Sequence, residues 1–323
     1  MLGLTELPSD LARLLLSFLP CRAILSLLGV SHTTRWLCAC LYELDLSSCK
    51  DLDDVGFLSS LARLRTLELS DSTEPHTGCN LVDVSPLSVL VTLETLHLAG
   101  CQQLIDVSPL STLTSLTRLD LHWSRQLSEV SPLSTLTALT TLDLHWCLQL
   151  EDISHLSTFT SLTSLNLCGC RQLNDVSPLL LVTSLTSLNL CGCRRLSKVS
   201  PLSSLTSLTS LNLHWCRQLS DASPLSTLIS LQTLDLAECY QLEDVSPLST
   251  LTSSTTLELT GCDQLSNVSP LSSLTSLTTL ALSHCGQLID VSPLTSLIAL
   301  QPLDISECNR LTVVLLLCRL SPP

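Results

Sequence analysis

The sequence predicts an α/β solenoid, with a curved parallel β-sheet on its concave face, short helical turns on its convex face and a helical cap at the N-terminus. Three observations lead there. The tripeptide Ser-Pro-Leu begins at 85, 108, 131, 177, 200, 223, 246, 269 and 292, in steps of 23 residues, with Ser154-His155-Leu156 filling the one gap. Within each period leucines alternate with polar residues over a short run. Leu188 and Leu190 point one way and Ser187, Asn189 and Cys191 the other, as on a strand. Aromatic residues make up only 3% of the 323, so any core must be built of leucine. A fixed period of this length marks stacked units, none of which can bury its leucines alone.

Residues 185–207, LTSLNLCGCRRLSKVSPLSSLTS, show the unit in full. Leu185, Leu188 and Leu190 belong to the strand, and Cys193 and Leu196 follow at turn and core positions. Ser200-Pro201 predicts a helix start, with Ser as N-cap and Pro at the first helical position, after which Leu202 and Leu205 point inward. The pattern L-x-x-L-x-L-x-x-C-x-x-L followed by D-V-S-P-L-S resembles the cysteine-containing leucine-rich repeat, particularly the repeats of kinetoplastid proteins. The likeness covers residues 41–311 in about twelve repeats. It implies non-catalytic recognition of a protein partner by the concave face. The kinetoplastid likeness implies a free-standing scaffold, or a regulatory subunit of a signalling enzyme such as an adenylate cyclase.

Residues 1–40 do not fit the repeat. Ser9 can cap a helix whose Leu11, Leu14, Leu15 and Phe18 form an apolar face, Pro20 ends it, and a second helical run passes through Ile24, Leu25, Leu27 and Leu28. One reading is a cap over the first repeat's leucines. The other comes from likeness: Leu7-Pro8, the leucine-rich helix, Leu19-Pro20, the Leu25/Leu28 pair, Val30-Ser31 and Trp36 resemble an F-box. That resemblance implies docking on a Skp-like adaptor through Leu7, Pro8, Leu11, Leu14, Leu15, Leu19 and Leu25. It would make the protein a substrate receptor of a cullin-based ubiquitin ligase. Further on, residues 70–78 (SDSTEPHTG) are a polar insertion expected at the surface, and residues 312–323 an abbreviated C-terminal cap. Ser254 stands where other repeats have leucine and predicts a local packing defect.

Composition narrows the function. The net charge is −14 and the only lysines are Lys50 and Lys198, so a basic track for nucleic acid is missing. Much of the acid lies in one column: Asp106, Glu129, Asp152, Asp175, Asp221, Asp244 and Asp290, two residues before the helix start, where a carboxylate can take a backbone N–H. Of seventeen cysteines, nine share one repeat column (Cys101, Cys147, Cys170, Cys193, Cys216, Cys239, Cys262, Cys285 and Cys308), which reads as buried thiols. Thiols kept as thiols favour a reducing compartment, hence the cytoplasm or nucleus. No membrane span or signal peptide is expected, because residues 11–30 carry Arg13, Pro20 and Arg22 behind Glu6 and Asp10.

Stacking turns repeat positions into surface columns, and these change character in mid-chain. Asp120 and Asp143 lie between the strand leucines; His122, His145, Cys168, Cys191 and His214 follow the second leucine; Trp123, Trp146 and Trp215 come next. Arg125, Arg171, Arg194 and Arg217 lie two residues beyond that tryptophan column. Tryptophan and arginine are enriched at binding hot spots, so these residues are the expected partner-binding patch. The rings are expected to stand outside the core, with Gly169 and Gly192 letting a partner approach the backbone. A linear His/Cys ladder does not converge on a tetrahedron, and it supplies neither an oxyanion site nor a phosphate-binding loop. No catalytic group, metal or cofactor is expected.

Overall fold

The computed structural model describes residues 41–312 apart from 48, 50, 51, 70–80 and 302. The helical readings of residues 1–40, the 70–78 insertion and nearly all of the 312–323 cap lie outside the described residues. The chain divides into two compact units, Met1–Gln149 and Leu150–Pro323.

In the first unit β1 (Glu43–Asp45), β2 (Thr66–Glu68), β3 (Thr95–His97), β4 (Arg118–Asp120) and β5 (Thr141–Asp143) pair in parallel and in sequence order. The register sets Leu44, Leu67, Leu96, Leu119 and Leu142 side by side. In the second unit β6 (Ser164–Asn166), β7 (Ser187–Asn189), β8 (Ser210–Asn212), β9 (Thr233–Asp235), β10 (Thr256–Glu258), β11 (Thr279–Ala281) and β12 (Leu303–Asp304) repeat the arrangement. Each strand is as short as its alternation allows. The central leucine points in and its neighbours point out, and a second leucine just past the strand turns inward again, as Leu121 and Leu190 do. From β1 to β11 these leucines are 0–2% exposed, while Leu303 in β12 is only partly buried. Burying each contributes on the order of 2 kcal/mol, and together they are the core.

The convex turns are 3-10 helices of five residues, such as Ser108–Thr112 in the first unit and Ser200–Ser204 in the second. Their caps differ from the sequence reading. The serine is the first helical residue, not the N-cap, and the residue before it, Val107 or Val199, makes no side-chain cap bond. The acidic column does the capping. Asp106 Oδ1 accepts the Ser108 N–H at 2.8 Å, as Asp83 does for Ser85, and in the second unit Asp221 for Ser223 and Asp290 for Ser292. Asn267 supplies the same oxygen to Ser269 at 3.0 Å, so the bond does not depend on charge, and the Ser200–Ser204 turn forms with Lys198 at that position. Proline then fixes φ at the second helical position, where no N–H is needed.

The serine and threonine content has a structural use the sequence reading left unexplained. Thr135 Oγ1 donates to Ser111 O at 2.7 Å and Thr140 Oγ1 to Thr117 O at 3.0 Å. In the second unit Thr227 reaches Ser203 O and Thr209 reaches Thr186 O in the same way. These bonds, 23 or 24 residues apart, tie each coil to the one before: those to Ser111 and Ser203 reach carbonyls of the 3-10 turns, and those to Thr117 and Thr186 add to carbonyls that already accept backbone N–H groups of the next coil.

The cysteine column is buried from Cys101 to Cys285, as expected, whereas Cys308, expected to be buried with it, is only partly covered. Cys147 Sγ donates to Leu121 O at 3.5 Å, and Cys193, Cys216, Cys239, Cys262 and Cys285 each reach the carbonyl 26 residues earlier at 3.3–3.4 Å. Eleven described cysteines are free thiols, whereas Cys49, outside that column in the sequence reading, is disulfide-bonded. Ser254 does more than leave a hole: it is 1% exposed and its hydroxyl donates to Leu231 O at 2.9 Å.

Candidate functional site

The residue after each outward His or Cys turns the chain off the strand, and it does so in the left-handed region. Gly100, Trp123 and Trp146 in the first unit have φ of 75°, 64° and 60°. In the second unit Gly169, Gly192, Trp215, Glu238, Gly261, His284 and Glu307 have φ between 55° and 74°. Glycine adopts this conformation freely, while other L-residues pay about 1–2 kcal/mol. The tryptophan column is therefore a glycine column with selected replacements.

In the first unit these replacements build a continuous patch. Asp120 Oδ1 accepts both the His122 N–H at 3.0 Å and His122 Nδ1 at 2.7 Å, and Asp143 Oδ1 serves His145 identically at 2.9 and 2.7 Å. The two imidazoles stack with centroids 4.3 Å apart and an interplanar angle of 11°. One position further on, Trp123 and Trp146 stack at 5.0 Å and 9°, and the Arg125 guanidinium lies 4.6 Å over the Trp123 ring. The rings thus stand outside the leucine core, as the spacing predicts, but they cover one another and are only partly exposed. Burial pushes the Asp120 carboxyl up, yet hydrogen bonds from His122 and His97 outweigh it and hold it well below the usual carboxylate range. The same Asp120 bond raises His97.

In the second unit the corresponding positions are occupied differently. Asn166 and Asn189 replace the aspartates and accept the Cys168 and Cys191 N–H groups at 3.1 and 3.0 Å. Hydrogen bonding with Cys168, then burial, raises Cys191 far above an ordinary thiol. Burial likewise pushes Cys216 up to about 12. Thiols held protonated in this way are not nucleophiles. A Cβ added at Gly192 would meet the backbone of Gly169 at 3.6 Å, so the two glycines lie against each other.

Trp215 anchors a second patch. Its ring has the Arg194 and Arg217 guanidinium groups at 5.4 and 5.7 Å, and its indole N–H donates to Glu238. Tyr240 Oη donates to the same carboxylate at 2.5 Å, and Arg217 also lies 5.4 Å over the Tyr240 ring. His214 tilts against Trp215 at 5.4 Å. Arg171, also in the arginine column, is exposed.

Sequence reasoning missed Glu238 and Tyr240. The signal was present: Glu238 is a non-glycine in the left-handed column, and Tyr240 occupies the arginine column 23 residues after Arg217. It also overlooked Asp143 as a donor beside two imidazoles: one ligand atom each from His122, Asp143 and His145 lie within 4.8 Å of one another. Arg125 and Arg194 both leave a buried Nε without a hydrogen-bond partner among the described residues.

Stacked coils that expose an aromatic and arginine-lined strand end define the class: a leucine-rich-repeat solenoid, whose exposed face is the kind used to hold protein partners. The family model for the BspA-type leucine-rich repeat region matches residues 92–220 and 183–312, most of the chain, and the protein belongs to that family. Among solved structures it is similar to an internalin, InlF, from Listeria monocytogenes strain 4b F2365. That likeness has 26% identity and a TM-score of 0.76, over 93% of this chain and 92% of that one. The functional domain of InlJ from Listeria monocytogenes, described as including a cysteine ladder, shares the fold at 21% identity and a TM-score of 0.57, over 86% of this chain and 63% of that one. No curated protein matches the chain. No helix among the described residues is long and apolar enough to cross a membrane.

Proposed function

We infer that the protein binds a protein partner through the strand ends on its concave face, using Trp123, Trp146 and Arg125 in the first unit and Trp215, Arg194 and Arg217 in the second. Asp120, Asp143, His122, His145, Cys168, Cys191, His214 and Arg171 frame these anchors. One observation carries the reading. Three tryptophans occupy left-handed positions that Gly100, Gly169, Gly192 and Gly261 fill without strain. The core does not require these rings, so the backbone strain is spent on presenting them. The unpartnered Nε of Arg125 and of Arg194 supports a partner that brings backbone carbonyls or carboxylates to the patch.

The test replaces each tryptophan with glycine, the residue its backbone prefers. Affinity purification with Trp123→Gly/Trp146→Gly/Trp215→Gly should lose partners that wild-type protein captures, with affinity falling more than about tenfold. Thermal stability should stay level or rise. Undiminished capture by the triple variant would place the interface elsewhere.

Resemblance alone supports a finer reading, in which residues 1–40 dock a Skp-like adaptor and the repeats hold a ubiquitin-ligase substrate. Substituting Leu7-Pro8 with Ala-Ala should then abolish adaptor capture while the repeats stay folded. Capture of a signalling cyclase with no adaptor would favour the scaffold reading. The eleven free thiols support a reducing compartment, cytoplasm or nucleus, while the Cys49 disulfide supports an oxidising one.

A further inference from the structure

Outside the aromatic anchors, the strand ends of the first unit bring together three donors of the kind that hold metals. We propose that His122, His145 and Asp143 bind one divalent transition-metal cation of the zinc, cobalt or nickel class. One ligand atom from each already lies within 4.8 Å of the other two.

The hydrogen bonding prepares the imidazoles for it. Each ring turns Nδ1 to a carboxylate on its own strand, His122 to Asp120 and His145 to Asp143, both at 2.7 Å. In a neutral His122 ring Nδ1 then carries the proton and Nε2 presents its lone pair, which is how a carboxylate fixes the tautomer and aim of a metal-binding histidine. Between His145 Nδ1 and Asp143 the ion takes the place of the shared proton, which leaves to solvent, because a carboxylate held at Nδ1 lies on the far side of the ring from Nε2. The in-register pairing of β4 and β5 holds the rings 4.3 Å apart, on strand ends instead of a mobile loop. A ladder of equivalent positions does not close around an ion. Here the carboxylate two residues before the second histidine breaks the line and supplies the third donor.

Charge and exposure agree. Asp120 and Asp143 bring two negative charges that a dication balances. With the His122 and His145 side chains 15% and 24% exposed, the patch is sheltered yet open to water for the remaining positions. Two imidazoles and a carboxylate suit borderline ions, not calcium, magnesium or cuprous copper. On capture the rings turn out of their stack until their lone pairs converge, at metal–nitrogen distances of about 2.0–2.1 Å. Metal binding and partner recognition are separate claims, and either can fail alone.

The probe is cobalt(II), titrated into reduced, metal-free, full-length protein and followed by visible absorption and histidine NMR. One saturable ion per chain is expected, without a thiolate-to-cobalt band, together with selective broadening of the His122 and His145 signals. His122→Gln and His145→Gln should each weaken binding at least about tenfold, and Asp120→Asn, a positioning change, about tenfold. The double variant Cys168→Ser/Cys191→Ser should bind as wild type. Absence of saturable binding, broadening of other histidines, binding undiminished in the histidine variants, or loss in the cysteine variant would overturn the proposal. The NMR readout needs no substitution, so a variant that fails to fold leaves it standing as the deciding measurement.

Discussion

Ser124 occupies the cysteine column between Cys101 and Cys147, fully buried, with no hydrogen-bond partner for its hydroxyl among the described residues. The neighbouring Cys147 thiol reaches the Leu121 carbonyl at 3.5 Å, a distance that suits the long C–S bond and the larger sulfur. The shorter serine arm leaves its oxygen desolvated without compensation, which costs about 1–3 kcal/mol. Ser124→Cys should recover most of this and add a weak S–H bond, raising stability by about 1–2 kcal/mol. Ser124→Ala, which removes the polar group but fills no space, should come out level or slightly stabilised. The converse change, Cys147→Ser, should destabilise by a similar amount. Urea unfolding followed by far-UV circular dichroism reads all three as shifts of the midpoint. A fall in stability for both Ser124 variants would refute the reasoning, since it would mean that the hydroxyl has a partner worth keeping.

Other outcomes follow from the same coils. Hydrogen bonds from the Ser108, Ser223, Ser246 and Ser292 side chains and N–H groups hold Asp106, Asp221, Asp244 and Asp290 below the usual carboxylate range. Their contribution is therefore present above the ordinary value of 3.8 and lost as pH falls through the lowered values. Thermal melts should show stability dropping below about pH 4, and less steeply when these aspartates become asparagine, as Asn267 already is. Ser254→Leu exchanges a satisfied hydroxyl for apolar volume in a leucine column, so it should stabilise by about 1–2 kcal/mol in the same urea assay. Native thiol labelling should reach Cys168, Cys191 and Cys308 and spare the buried column from Cys101 to Cys285 until the protein unfolds. Mass mapping of labelled peptides checks this, and finding the column paired as disulfides would contradict it.

The period of 23 residues determined most of this protein before any coordinate was known. A repeat that cannot bury its leucines alone must stack, and stacking fixes which residues share a column; the parallel strands, the leucine core and the buried cysteine column follow from that. The acidic column was legible as a turn-making one for the same reason. What the sequence left open depends on backbone dihedrals and on distances across coils. Alternation does not reveal that the position after His122 or His145 has φ near +60°, so the tryptophans read as loose rings and not as strained replacements for glycine. Residue type does not say which carboxylate a histidine will turn to, and so Asp143 joined two imidazoles unseen. Spacing placed serine at the helix start and made it the N-cap, whereas the carboxylate two residues earlier does the capping, which only the dihedrals and distances show. Periodicity constrains what lies inside, because burial is common to every coil. Which side chains meet at the surface is decided by rotamers and local φ, and those exist only once the coils are packed.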